Sequence, residues 1–181
     1  MTADANRQVS PWRVAGWGIA VALILLPLIA MRFTDEVAWT ASDFAFAILL
    51  IGSVGIAYEL VVRMTGNAAY RAAIAVALLT GLLIVWSNLA VGIIGDEDNP
   101  ANLAFFGIPA IAIAGAFVAR LRPGGMARAL LATAFAQLLV SAVALLARMD
   151  LPVGIAIFFV GMWLVSGLLF RAAARGNFMH R

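Results

Sequence analysis

Six apolar runs follow one another along this chain, and arginine clusters at one alternate set of their ends. The runs cover about residues 14–31, 44–62, 72–95, 101–119, 127–147 and 151–170. A helical crossing of a bilayer needs about 20 such residues, and hydrocarbon leaves backbone polar groups to be satisfied within the segment itself. The expected fold is therefore all-α, a polytopic transmembrane helical bundle of six spans. A polar N-terminal tail (1–13) precedes the transmembrane domain (14–170), and a basic tail (171–181) follows it. Composition agrees: 65% of the residues are apolar and 12% charged, with a mean hydropathy of +1.04. Soluble domains run near 45–50% and 25%. The first run, with Arg7 and Arg13 before it, has some of the form of a signal peptide. It exceeds the usual apolar core of about 7–15 residues and lacks a small-residue cleavage motif, so a retained helix is expected.

Charge gives the expected orientation. All twelve cations are arginine. Arg7, Arg13, Arg63, Arg71, Arg120, Arg122, Arg128, Arg171, Arg175 and Arg181 fall at the N-terminus, beside the second and fourth loops, or in the tail; Arg32 and Arg148 alone fall on the other side. Asp35, Glu36, Asp43, Asp96, Glu97, Asp98 and Asp150 gather opposite the arginines. The positive-inside bias then puts both termini in the cytoplasm. Arginines set between apolar spans suit lipid headgroups, not nucleic acid, so membrane lipids are the expected contact and nucleic acid is not.

Missing residue types narrow the chemistry. Without cysteine there is no disulfide, thiolate nucleophile or cysteine-held metal, and the one histidine, His180, is next to the end. No phosphate loop, HExxH pair or nucleophile elbow is present, which lowers the expectation of an enzyme.

Local signals mark the loops. Thr40-Ala-Ser-Asp43 has the form of a capping box, with Trp39 beside it as an interfacial anchor. Gly66-Asn67 reads as a turn, Asn99-Pro100 as an N-cap followed by proline at the first helical position, and Arg120 to Gly125 as a basic turn. Glycines 16, 18, 154, 161 and 167 are expected at close-packed helix contacts.

Three groups of residues carry the functional expectations. Asp96, Glu97, Asp98, Asn99 and Asn102 offer hard oxygen ligands for a weakly bound divalent cation, or else form a solvated loop capping the next helix. If the third span runs to Gly95, Asn88, Gly92 and Asp96 share one face leading to that corner. A polar path is the second expectation, through Glu59, Thr80, Asn88, Thr133, Gln137 and Ser141. The i, i+4, i+8 row of Thr133, Gln137 and Ser141 must face protein or water, and interhelical hydrogen bonding is its simpler use. Glu59 has Arg63 four residues on, in the favourable order for an ion pair. Third, Arg63, Arg71, Arg120, Arg122 and Arg128 form the expected contact with lipid headgroup phosphates. A faint repeat aligns Thr80 with Gln137 at an offset of 57 residues, although positive-inside bias can produce the same alignment.

The run Asn88-Leu-Ala-Val-Gly-Ile-Ile-Gly95, with Glu97-x-Asn99-Pro100-Ala-Asn102, resembles a pattern in small multi-pass bacterial inner-membrane proteins. Tyr58-Glu59-Leu, Tyr70-Arg71 and Arg122-Pro-x-Gly-Met-Ala-Arg128 resemble further pieces of it. The resemblance implies the bacterial cytoplasmic (inner) membrane as location and implies no activity. Three functions fit the residues: a small transporter or channel-like protein handling a cation or proton, a non-catalytic subunit or scaffold, and an enzyme acting on a lipid or isoprenoid headgroup. A bundle of six short helices also suits a homodimer or a second membrane subunit as partner.

Overall fold

The structure, a computed structural model, describes residues 11–34 and 37–176, with the backbone alone for Pro11 and Trp12. Arg7, Asp35, Glu36, His180 and Arg181 lie outside the described residues, as does most of both tails. The described chain is helical: α1 (Pro11–Ala30), α2 (Ala41–Met64), α3 (Ala68–Ala90), a single 3-10 turn (Pro100–Asn102), α4 (Leu103–Ala119), α5 (Pro123–Leu146) and α6 (Val153–Gly176). Six segments are long and apolar enough to cross a membrane, and only 6% to 33% of each is buried within the protein. So much bare apolar surface is what an integral membrane protein presents to lipid.

Two compact units divide the chain, one ending at Ala57 and one beginning at Tyr58. In the first, α1 and the greater part of α2 form an antiparallel hairpin. Gly55 takes the edge of the Trp17 indole so closely that a Cβ there would stand 2.9 Å from Cη2. The capping box forms as its sequence requires: Thr40 donates its N–H to Asp43 Oδ2 (2.7 Å), and Asp43 N–H points back at Thr40 Oγ1 (3.4 Å). Trp39 packs edge-on against Phe44.

The second unit is a ring of four helices, with α6 between α3 and α5, and α4 between α5 and α3. Its core is filled by Ile84, Phe105, Ile108, Leu130, Phe159, Trp163 and Phe170. Small residues set the spacing. A Cβ on Gly115 would come within 2.7 Å of Ala129 Cβ, and one on Gly167 within 2.9 Å of Leu131, so α5 lies close against both neighbours. Gly167 thus packs as expected, whereas Gly16, Gly18, Gly154 and Gly161 have nothing within 4 Å of where a Cβ would stand. Those four leave open space where a Cβ would stand, and sequence spacing does not say which side of an all-apolar helix meets a neighbour.

Several helix ends differ from the sequence reading. Helix α3 stops at Ala90, not near Gly95, because Gly92 turns the backbone at φ +73°. Helix α5 begins at Pro123, with proline in the first turn where its missing N–H costs nothing. Helix α6 continues through Arg171 and Arg175 to Gly176.

Candidate functional site

At the acidic end of the second unit the chain folds back on itself instead of extending α3. Gly92 accepts a conformation that favours glycine, and any Cβ on it would overlap the carbonyl of Asp96. The turn sends Ile93 and Ile94 inward, each 2% exposed, so their backbone N–H groups need an internal acceptor. Asn102 supplies it: its Oδ1 accepts from Ile93 N (3.0 Å) and Ile94 N (2.8 Å). Its Nδ2 donates to the Asp96 carbonyl (2.6 Å), and its own carbonyl accepts from Asn88 Nδ2 (2.8 Å). Gly95 N–H then reaches the Asp150 carbonyl (2.8 Å), tying this loop to the one between α5 and α6. Asn99 caps the short turn through Ala101 N (3.0 Å).

This geometry separates the five residues of the acidic corner. Asn99 and Asn102 turn their amide oxygens onto backbone donors, while Asp96, Glu97 and Asp98 stand exposed. Among the described residues no three Asp, Glu, His or Cys side chains group closely enough to hold a metal ion. The face of Asn88, Gly92 and Asp96 does not exist as a helical stripe, since α3 has ended by then.

Five of the six polar-path residues gather inside the four-helix ring. Thr80, Thr133 and Gln137 have no exposure, and Asn88 and Ser141 have 2% each. Both threonines turn their hydroxyl protons onto their own helices, Thr80 to the Val76 carbonyl (2.6 Å) and Thr133 to the Ala129 carbonyl (2.9 Å). Gln137 Nε2 donates to Ser141 Oγ (3.4 Å). Among the described residues three buried side-chain atoms have no hydrogen-bond partner: Asn88 Oδ1, Gln137 Oε1 and Trp163 Nε1. A cleft of about 270 Å³ opens at the acidic half between α3 and α6, lined by Leu83, Ser87, Gly154, Ile155, Phe158 and Phe159. None of the polar-path residues lines it.

Glu59 stands apart, near the arginine-rich end of α2, where Arg63 Nε donates to its Oε1 at 2.9 Å. The Arg63 side chain is 67% exposed and that of Glu59 17%. Arg71 closes the end of α2, donating from Nε to the Thr65 carbonyl (2.7 Å) and from Nη2 to the Val62 carbonyl (2.8 Å). Arg120, Arg122 and Arg128 are exposed around the turn into α5. Tyr70 holds that turn, donating its hydroxyl to the Leu121 carbonyl (2.7 Å) and packing edge-on against Phe170.

Sequence reasoning missed Ser166 and Trp163. Ser166 is fully buried and donates to the Ala73 carbonyl of α3 (2.8 Å). Neither residue sits in a polar row on α6, so nothing local distinguished them from other interior or interfacial side chains. The six apolar helices of the described residues are consistent with one class, an integral membrane protein of the multi-pass helical kind. No family model matches the chain, and neither a curated protein nor a solved structure matches it significantly.

Proposed function

We propose that the protein is a small transporter or channel-like protein of the bacterial cytoplasmic membrane, handling a cation or proton, with both termini inside. Its arginine asymmetry supports the orientation. One observation carries the functional reading: Asn88 and Gln137 each keep a carbonyl oxygen buried and unpartnered inside the ring. An unmade hydrogen bond in a buried site costs about 1–3 kcal/mol. Such a cost is tolerable where the oxygens serve a passing ligand during opening. In this reading the Asn102-held loop, which takes up the Asn88 amide at the acidic end, closes the path from that side. Asp96, Glu97 and Asp98 then attract cations electrostatically, and a weakly bound divalent cation would rest on these carboxylates alone.

The test is ion flux into liposomes containing the purified protein, under imposed H⁺, Na⁺ or K⁺ gradients. Gln137→Leu, and Glu59→Gln at the arginine-rich end, are expected to lower flux at least about tenfold, the effect of removing about 1.4 kcal/mol from a barrier. Flux unchanged in both variants, with each protein folded, would sink the reading.

A second reading, a non-catalytic subunit or scaffold, is favoured by the cleft between α3 and α6 and by the open faces of Gly154 and Gly161. Another membrane helix, from a second copy or a different subunit, fits against such a surface. Under this reading the purified protein conducts nothing, and Glu59→Gln leaves assembly intact. The arginine-rich end has fewer free guanidinium groups for a lipid-processing role than the sequence count implies, because Arg63 and Arg71 have partners within the protein. Arg120, Arg122 and Arg128 remain for headgroup phosphates.

A further inference from the structure

We infer that the middle of the four-helix ring holds a buried water site between α5 and α6, formed by Gln137 Oε1 as acceptor and Trp163 Nε1 as donor. Both side chains are essentially without exposure, and neither atom has a partner, so the two do not bond each other. Their depth matches. The contact of Gly167 with Leu131 fixes the antiparallel register of α5 and α6. Counting from it, Gln137 lies level with Gly161, and Trp163 is offset by two residues, about 3 Å along the axis. Trp163 stands one turn before Gly167 on the same side of α6, and Gln137 continues the buried stripe of Leu130, Thr133 and Ala134 on α5.

The chemistry of the two atoms selects the ligand. An indole N–H only donates, so its positive end disfavours a bare metal ion beside it; an amide oxygen only accepts, so it disfavours an anion. A neutral hydroxyl satisfies both at once, and water is the smallest molecule that carries one. Thr133, one turn before Gln137 on the same buried stripe of α5, has given its proton to the Ala129 carbonyl, which leaves its lone pairs as an acceptor for water's second proton. This inference deepens the transport reading and rests on it for its functional half: a hydrated station without a carboxylate suits a proton moving along water, not a dehydrated Na⁺ or K⁺.

The protein labelled with ¹⁵N-tryptophan and held in lipid nanodiscs provides the test. An NMR cross-relaxation peak between the Trp163 indole proton and water, with the sign of a bound molecule and not of exchange, is the expected result. Trp163→Phe assigns the resonance. If that variant fails to fold, Trp12, Trp17, Trp39 and Trp86 are replaced in turn to assign it by elimination. An indole proton with no water contact, or one bonded directly to the Gln137 amide, overturns the site whatever the protein transports. Flux measured in parallel separates the two claims. Proton flux without Na⁺ or K⁺ flux, lost in Gln137→Leu, supports both. Bound water with no flux of any ion keeps the site and overturns the transport reading. Metal-ion flux through the unmodified protein overturns the assignment to protons.

Discussion

Asn102 does more for the acidic end than its neighbours in sequence suggest. Its side chain satisfies two inward-turned backbone donors and one carbonyl, and replacing it with alanine strands the two buried donors of Ile93 and Ile94 and frees the partly exposed Asp96 carbonyl. Asn102→Ala is expected to cost about 3 kcal/mol in reversible unfolding from detergent, since each stranded group costs about 1–3 kcal/mol. Asn102→Asp, which keeps the acceptor and loses the donor to Asp96, should cost less. Replacing Asp96 and Asp98 together with asparagine changes exposed groups and should shift stability by no more than about 0.5 kcal/mol. The same double change should remove any rise in unfolding midpoint produced by Ca²⁺ or Mg²⁺, the signature of mass-action binding. Residues whose partners lie within one turn were legible beforehand. Asn99 caps its turn and Thr40 with Asp43 closes a box, as read, while Asn67, read only as a turn residue, also caps α3 through Tyr70 N. Asn102 reaches 14 residues back to Asn88, and Ser166 reaches 93 back to Ala73; no local pattern encodes either.

Among the elements, glycine shows where reading by composition ends. Gly115 and Gly161 look alike in sequence, each within an apolar run. Gly115 lies against Ala129 at a distance that admits no Cβ without movement, whereas Gly161 faces open space. Gly115→Ala should push α4 from α5 and cost about 1–3 kcal/mol, as overpacking does. Gly161→Ala should gain about 0.5–1 kcal/mol from the chain entropy that glycine forfeits in a helix. Unfolding titrations of the two variants side by side provide the check, and equal effects would contradict the register of α4 and α5. Helix ends follow the same division. Pro100 announces a start that the backbone obeys, whereas Pro123, read as part of a turn, opens α5, and the end of α3 depends on Gly92 turning under a loop held from Asn102 and Asp150.

Across the whole molecule, the arginine count makes a topological prediction that the native lack of cysteine renders easy to test. Glu97→Cys should react with a membrane-impermeant maleimide added outside intact cells, and Gly66→Cys only after the membrane is opened. Both positions are exposed, and Gly66 has nothing within 4 Å of a new Cβ. Reversed labelling would overturn the positive-inside orientation. The sequence by itself determined the six apolar helices and the caps that open several of them, because hydropathy and capping act over one or two turns. The tertiary structure alone decided which polar residues meet, which glycines are packed, and where α3 ends. Apolar side chains cover these helices on every face, so periodicity says little about which face turns inward. Contact between distant helices selects it, and with it brings Thr80, Asn88, Gln137 and Trp163 into one closed interior.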